Sequence, residues 1–514
     1  MSFFSYFKLN CYFCTKEFIK QLKKNMISFI VSLVALVLGY FFYGKVVERI
    51  FGPDDRPTPA VLKADGIDFI TLPRWKIFMI QFLNIAGTGP IFGAIMGAKF
   101  GPSSYLWIVF GCIFAGAVHD YLSGMVSMRN GGIGLPEVIG KYLGEKVRVA
   151  MLVLTVFLLM IVGAVFVYSP AAILSNITGS VTFWIVVIFV YYLIATLLPI
   201  KNIIGRIYPL FAASLLFMAV ALLVVLLVKW PTIPEVWEGL GNKAMEVSPD
   251  WKDNIFPCLF IVISCGAISG FHATQSPLMG RCMSSERLGR PVFYGAMITE
   301  GIVALIWATI GSYFFYATPQ PGYEILSATG NSGFATSAPQ VVNIVCKDWL
   351  GIAGGILALL GIVAAPITTG DTSLRSARLI IADFIRIEQR TLKRRLLITL
   401  PLFLCTFSLL MWQVANPDGF GVLWQYLGWF NQCLTAITLW ALTVYLVKEH
   451  KQYLITYVPA VFMTFVCLTY LFVSRQLLSL QPEVGYPLGF ALSIAIWGVF
   501  LVWHARFKKE EVKN

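Results

Sequence analysis

The chain has 514 residues, of which 58% are apolar and only 13% are charged, against about 25% charged in ordinary soluble domains. This composition excludes a soluble protein, a disordered chain, a collagen-like protein and a disulfide-stapled secreted domain, because so much apolar surface can be hidden only in lipid. The net charge of +13 fits the basic cytoplasmic loops of membrane proteins, and we expect no nucleic-acid partner.

Long apolar runs follow one another along the chain, and they predict an all-α polytopic membrane protein. A run of about 18 or more apolar residues is long enough to cross a bilayer as a helix. These runs give about 13 transmembrane helices, with the lipid bilayer as the main partner. The predicted spans are residues 26–44, 75–98, 104–127, 148–168, 181–199, 207–229, 254–278, 292–316, 347–366, 396–414, 419–447, 453–474 and 486–506.

Lys and Arg residues are concentrated in alternate loops, most of all in residues 375–395. Because cytoplasmic loops carry the excess of basic residues, we expect this loop and the C-terminus in the cytoplasm. The lysines of the N-terminal tail then fall on the opposite side, so the side of the N-terminus stays open. The same tail holds Cys11 and Cys14, a C-x-x-C pair without a partner pair or nearby His, for which we predict no metal site.

Two predicted spans, the second and the seventh, carry helix-breaking residues near their middle. Gly costs about 1 kcal/mol and Pro about 3 kcal/mol in a helix interior. One such break is explained by a tolerated kink, but a matched pair is typical of a transporter binding site. The breaking residues are Gly87, Gly89 and Pro90 in the second span and Gly266, Ser269 and Gly270 in the seventh.

The spacing of the two broken spans predicts an internal repeat. Five spans run from the first broken one to the sixth, and five more from the second broken one to the eleventh. An odd number of helices in each repeat forces the two repeats to be inverted. The predicted units are 1–74 (tail, first helix and loop), 75–229 (repeat 1), 230–253 (loop), 254–447 (repeat 2) and 448–514 (two extra helices and a basic tail).

Ionisable residues inside a span are costly, so they are candidates for function. His119 and Asp120 lie in the third span, and His272 follows the second break. These residues are predicted to carry protons near neutral pH. The structural alternative is that Asp120 stabilises a helix end and that His272 forms a hydrogen bond with backbone groups freed where the helix is interrupted. Weaker candidates of the same kind are Glu300, Asn431 and Gln432.

A polar stretch at the end of the ninth span predicts an ion site. Thr368 and Thr369 supply hydroxyls, Asp371 supplies a carboxylate, and backbone near Ala86 of the first break supplies carbonyls. Oxygen atoms of these kinds suit a sodium ion, and Asp371 is also a candidate for proton coupling. The alternative is a helix cap with a structural ion pair, because Asp371 and Arg375 face each other at i, i+4.

The half-helices at the two breaks are expected to present free amides to the carboxylate of a small-molecule substrate. The chain has no P-loop, no H-E-x-x-H and no G-x-S-x-G motif, so we expect neither an enzyme nor an ATP-driven pump. No cofactor is expected beyond a coupling proton or sodium ion. The predicted substrate-binding residues are Asn84, Gly87, Thr88, Gly89, Pro90, Gly266, Ser269, Gly270 and His272.

These segments resemble the carbon starvation protein A (CstA) family of bacterial transporters. The resemblance implies the LeuT-like five-plus-five inverted repeat of the amino acid–polyamine–organocation superfamily, with two discontinuous helices, in the bacterial cytoplasmic (inner) membrane. Long members of the family carry extra spans, and they have Gln in place of His119 but keep the Asp. The matching stretches, from about residue 69 to 447, are FLNIAGTGPIFG, AGAVHDYLSGM, FPCLFIVISCGAISGFHA, TTGDTSLRSARLIIADF and LWQYLGWFNQCL.

The resemblance implies an ion-coupled symporter that imports short peptides under carbon starvation. A proton-coupled symporter for pyruvate or another small carboxylate is the alternative, since both cargoes carry a carboxylate. A channel or a membrane-embedded starvation sensor is the alternative from another class. The internal repeat argues against a channel, and the loops are too short to fold as a signalling domain. The oligomeric state stays open.

Overall fold

The computed structural model describes residues 25–64, 69–197, 200–247, 253–317, 336–387, 391–416 and 418–513. These residues are helical or irregular, and no β-strand occurs among them. Nine of their helices are long and apolar enough to cross a membrane, or ten when one bent pair is taken as a span. The all-α membrane class is therefore confirmed, while the count of about 13 spans stays a prediction. The predicted C-x-x-C pair lies outside the described residues.

The first half of the chain forms eleven α-helices among its described residues. Most of these helices are apolar enough to lie in lipid. Side chains on one face pack inward, and those on the other face are exposed and apolar. They are α1 (Ile27–Phe41), α2 (Tyr43–Phe51), α3 (Pro59–Leu62), α4 (Arg74–Ile85), α5 (Ala94–Ala98), α6 (Ser103–Gly111), α7 (Ala117–Arg129), α8 (Leu135–Leu143), α9 (Glu145–Thr178), α10 (Val181–Leu197) and α11 (Ile200–Lys229).

The second half of the chain forms nine α-helices among its described residues. Short π-helical turns precede α5 at Gly89–Gly93, α7 at Cys112–Gly116 and α15 at Arg290–Tyr294. The helices are α12 (Lys243–Val247), α13 (Phe260–Val262), α14 (His272–Gly280), α15 (Gly295–Tyr316), α16 (Ala338–Phe384), α17 (Leu392–Ala415), α18 (Gly419–Lys448), α19 (Leu454–Val473) and α20 (Pro482–Lys513).

The first predicted break divides the second span into α4 and α5. Helix α4 ends at Ile85, and Ala86 leaves the helical region with φ −84° and ψ 48°. The chain re-enters a helix only at the π-helical turn that starts at Gly89, and the two halves are bent by 53°. The carbonyls and amides of this turn lie at membrane depth, where protein groups must satisfy them.

The second predicted break divides the seventh span. Helix α13 ends at Val262, and α14 begins at His272, so residues 263–271 are not helical. Gly266 has φ +89°, in the left-handed region that a residue without a Cβ adopts readily. The interruption is therefore longer than the first one, and it frees more backbone groups.

The two breaks touch each other inside the protein. A Cβ added to Gly89 would lie 2.3 Å from the Cβ of Cys265 in the second break. A Cβ added to Gly266 would lie 3.6 Å from the Cα of Pro90 in the first break. Small residues at this crossing let the two backbones approach closely, as they do in other membrane helix pairs.

Long helices surround the contact between the two breaks, and hydrogen bonds from hydroxyl groups link these helices to each other. The Tyr192 hydroxyl of α10 shares its one hydrogen between the carbonyl of Phe166 in α9 (2.8 Å) and that of Pro366 in α16 (3.0 Å). Helix α16 is 47 residues long and is kinked at Gly351, where φ is 62°. These contacts place α9 and α16 against the first break, where their side chains form part of the site described below.

We predict that Gly89→Ala destabilises the protein by about 1–3 kcal/mol, the usual cost of overpacking a filled interior. The new methyl group would overlap Cys265, so either backbone must shift. Thermal unfolding of the detergent-purified protein measures the effect. Gly498→Ala in α20 is the control, because nothing lies within 4 Å of its added Cβ. Equal melting temperatures for the two variants would contradict the close contact of the breaks.

Candidate functional site

A small cavity lies between the two breaks. Gly87 and Gly89 of the first break and Cys265 and Phe271 of the second line it, and side chains of α9, α16 and α18 close it. It has room for about one water molecule. The structure is therefore closed around this point, and a larger solute requires the breaks to move apart.

Four titratable side chains meet beside the second break. Asp120 Oδ1 lies 2.9 Å from His119 Nδ1, and Asp120 Oδ2 lies 2.9 Å from His272 Nδ1. The other ring nitrogen, His272 Nε2, lies 3.4 Å from Glu300 Oε2. All four side chains are fully buried. The structure thus brings together the three predicted proton-carrying residues and adds Glu300, which the sequence marked only as a weaker candidate.

Two side chains accept hydrogen bonds from amides freed at the second break. Glu300 Oε1 accepts from the Gly266 amide at 3.1 Å. Asn431 Oδ1 of α18 accepts from the Phe271 amide at 2.7 Å and from the Ser269 hydroxyl at 3.2 Å. Gly266 was predicted to bind substrate, and free amides were expected at the half-helix that follows the break. In this state the protein's own side chains bind the Gly266 and Phe271 amides.

Carbonyl groups of the same break also have side-chain partners. Trp107 Nε1 donates to the Ile263 carbonyl at 2.9 Å, and Gln432 Nε2 donates to the Phe260 carbonyl at 2.8 Å. A break at membrane depth persists only when such groups replace the lost helix bonds. Gln432 therefore has a structural role, because its hydrogen bond links α18 to α13.

The predicted ion site lies near the first break but divides into two parts. Thr369 Oγ1 lies 3.5 Å from the Asn84 carbonyl, at the end of α4. Asp371 instead faces α11: its Oδ2 accepts from the Tyr208 hydroxyl at 3.2 Å, and its Oδ1 lies 3.6 Å from Arg375 Nη2, as the i, i+4 spacing predicts. Asp371 is fully buried, and its Oδ1 has no hydrogen-bond partner among the described residues.

The other predicted residues are buried around the same crossing. The side-chain atoms Asn84 Oδ1 and Thr88 Oγ1 have no hydrogen-bond partner among the described residues. Thr368 Oγ1 donates to the Ala364 and Ala365 carbonyls of its own helix. Ala86, Pro90 and Gly270 are buried in the two breaks. Their roles in binding substrate or ion stay predictions.

Cys265 is the site residue that the sequence did not identify. Its Sγ, His272 and Glu300 each offer one ligand atom, and these atoms all lie within 4.8 Å of one another. In the sequence Cys265 is one of several Cys residues in apolar runs, so nothing separates it from a small packing residue. The sequence could not show that Cys265 lies beside Glu300, because Glu300 is 35 residues away on α15.

The sequence pattern of the family described as carbon starvation protein CstA matches residues 24–177, 167–321 and 321–470. These segments cover most of the chain and include both breaks and every residue of the buried clusters. The chain belongs to the carbon starvation protein CstA family. The resemblance noted in the sequence is thereby confirmed.

Relatives of the chain are bacterial membrane proteins. An uncharacterized membrane protein of Haemophilus influenzae is 45% identical over 59% of this chain and 95% of that protein. The peptide transporter CstA of Escherichia coli is 25% identical over 82% of this chain and 77% of that protein. The pyruvate/proton symporter BtsT of Escherichia coli is 27% identical over 66% of this chain and 56% of that protein.

Solved structures with the same fold are also transporters. A manganese transporter of Eremococcus coleocola matches with a TM-score of 0.56 at 13% identity, over 86% of this chain and 98% of that one. A Na+-coupled sialic acid symporter in an outward-open state matches with a TM-score of 0.52 at 14% identity, over 91% and 95%. At these identities the likeness shows the fold alone.

We predict that Asn431→Ala loosens the second break, because the Phe271 amide and the Ser269 hydroxyl lose their acceptor. A buried donor left without a partner costs about 1–3 kcal/mol. Thermal unfolding should show this loss, and hydrogen–deuterium exchange should rise in residues 263–271. Asn416→Ala is the control, since Asn416 is exposed at the end of α17. Unchanged exchange in Asn431→Ala would show that the break is held by other contacts.

Proposed function

We propose that this protein is a secondary active transporter, an ion-coupled symporter that imports a small solute bearing a carboxylate. The observation that carries the proposal is the family match over residues 24–470, together with a closed cavity between two broken helices. Short peptides are the first candidate cargo and pyruvate the second, because the named relatives include a peptide transporter and a pyruvate/proton symporter. We place the protein in the bacterial cytoplasmic membrane with its C-terminus in the cytoplasm.

The same proposal includes the finer architecture. We infer about thirteen transmembrane helices. Residues 75–229 and 254–447 form two inverted repeats of a LeuT-like core, and residues 1–74, 230–253 and 448–514 are the segments outside it. The matched interruptions at 86–88 and 263–271 support this, since such pairs mark the repeats of many transporters. Alternating access would then move one repeat element against the other around the cavity.

The substrate is proposed to lie in the cavity, with its carboxylate on amides near Gly89 or Gly270. Helix N-termini carry about half a positive charge, so they stabilise an anion without a basic side chain. No Lys or Arg is among the described residues that line the cavity, which leaves these amides as the anion-binding groups. A channel is disfavoured because channels usually build their filter from symmetric subunits, whereas the two matched breaks here indicate an internal repeat.

Asp371 is proposed to carry the coupling charge. It is a buried carboxylate beside Tyr208 and Arg375, two residues after Thr369, which touches the first break. Binding of a proton or a sodium ion at this end of α16 would therefore change the contact of α16 with α4. His119 and Asp120 are the other predicted proton-coupling residues. Asp120 contacts both His119 and His272, and the role of the pair stays a prediction.

Uptake into proteoliposomes tests the function and the cargo. Labelled dipeptides, pyruvate and amino acids are compared under imposed proton and sodium gradients, and accumulation above equilibrium is expected for a carboxylate-bearing cargo. Dipeptides with a carboxamide at the C-terminus supply the control and should be carried poorly. Equal uptake of capped and free dipeptides would exclude the amide–carboxylate site. Uptake that only equilibrates, whatever the gradient, would indicate a channel.

We predict that Asp371→Asn lowers gradient-driven accumulation about tenfold or more, equivalent to about 1.4 kcal/mol of lost coupling. Exchange of labelled for unlabelled substrate without a gradient should fall much less, since the variant keeps the cavity. Asp348→Asn is the matched control, because Asp348 lies on the same helix with 61% of its side chain exposed. Equal losses in accumulation and exchange would favour a purely structural ion pair.

A further inference from the structure

The cluster beside the second break has the composition of a metal site. Cys265 lies within the non-helical residues 263–271, His272 begins α14, and Glu300 lies on α15. One ligand atom from each lies within 4.8 Å of the others. His272 and Glu300 are completely buried, and Cys265 is 8% exposed. Thiolate, imidazole and carboxylate together are a ligand set that zinc-class ions prefer, whereas sodium, magnesium and calcium prefer oxygen alone.

Two atoms of the cluster point at each other without a hydrogen bond. His272 Nε2 and Glu300 Oε2 are both buried and have no hydrogen-bond partner among the described residues. They lie 3.4 Å apart. Two ligands of a tetrahedral ion at about 2.0–2.2 Å stand about 3.4 Å from each other. The separation therefore matches a pair of ligands on one ion better than a hydrogen bond.

The surrounding groups hold the ligands in the orientation that metal binding needs. A carboxylate only accepts hydrogen bonds, so Asp120 Oδ2 fixes the proton of His272 on Nδ1 and leaves the lone pair on Nε2. The other oxygen of Glu300 accepts from the Gly266 amide. Asn431 Nδ2 donates to Cys265 Sγ at 3.8 Å, a contact that stabilises a thiolate. Each proposed ligand thus has a supporting partner of its own.

We propose that Cys265, His272 and Glu300 bind a divalent transition-metal ion of the zinc class, with Asp120 orienting His272. Binding releases the proton of the Cys265 thiol, and the thiolate and the Glu300 carboxylate then balance the two charges of the ion. Cys265 also lines the cavity between the breaks, so the ion enters when that cavity opens.

The ion would connect the two sides of the second break to α15. Because the broken span has to move for transport, this link slows the transport cycle. The inhibition rests on the proposed transport function, whereas metal binding does not. The two are therefore measured separately, and a failure of one is distinguishable from a failure of the other.

Metal binding is tested with Co2+ and Zn2+ on the full-length protein in detergent, after removal of metal with a chelator. We expect one ion per chain and a thiolate-to-cobalt charge-transfer band in the near ultraviolet, which Zn2+ abolishes. Cys265→Ser should remove the band and weaken Zn2+ binding at least tenfold. Cys346→Ser is the control, a buried Cys on α16 that belongs to no such cluster among the described residues.

Two further variants test the metal site even if Cys265→Ser fails to fold. Glu300→Gln retains an oxygen for the Gly266 amide but loses the charged ligand. Asp120→Asn leaves all three proposed ligands in place and changes the partner of His272 and of His119. Both should weaken Zn2+ binding, the second by about 10–100-fold, as losses of such partners usually do. Absence of bound metal, a cobalt spectrum without the thiolate band, or equal affinity in Cys265→Ser and wild type would overturn the proposal.

Inhibition is measured in proteoliposomes as the fraction of each variant's own zinc-free rate that Zn2+ removes. Micromolar Zn2+ should inhibit the wild type and Cys346→Ser, and Cys265→Ser should resist it. If Zn2+ binds through Cys265 but leaves the transport rate of the wild type unchanged, the proposed slowing of the cycle is wrong and the site itself stands.

Discussion

The contact between two broken helices in the middle of the protein is the constraint on which the rest of the structure depends. A helix interrupted at membrane depth exposes amides and carbonyls that lipid cannot satisfy. In the second break Glu300, Asn431, Trp107 and Gln432 supply the missing partners. Their helices, α6, α15 and α18, are thereby fixed around the break. The close approach at Gly89 fixes the first break against it.

Two clusters of buried ionisable groups lie close to the two breaks. In one cluster Asp120 and Glu300 share His272, and in the other Asp371 meets Tyr208 and Arg375. Buried charges cost free energy even when they are paired, so a chain retains them where they bind something or change state. Both groups contact a broken helix or the helix beside it, and a ligand at either one therefore acts on the element that must move.

A shared fold does not determine which solute a transporter carries. The manganese transporter and the sialic acid symporter share the fold at 13% and 14% identity. Helix packing around two breaks is thus compatible with different site chemistry, because packing needs only apolar surface and small residues at the crossing. What the protein carries has to be decided from the residues around its own cavity. These supply apolar side chains, backbone of the breaks, one thiol, one hydroxyl and the carboxamide of Asn431.

The sequence by itself determined the membrane class, the position of both breaks and the ionisable residues that form the two buried clusters. These properties follow from local composition: apolar runs longer than a bilayer, Gly and Pro inside them, and charges where charges are costly. The i, i+4 pairing of Asp371 with Arg375 was also readable, since helix geometry alone sets it. Only the tertiary structure decided that Glu300 and Cys265 join His272, and that Asn431 takes the Phe271 amide. These contacts join residues far apart in the chain, so they depend on how whole helices pack, and no local pattern records that packing.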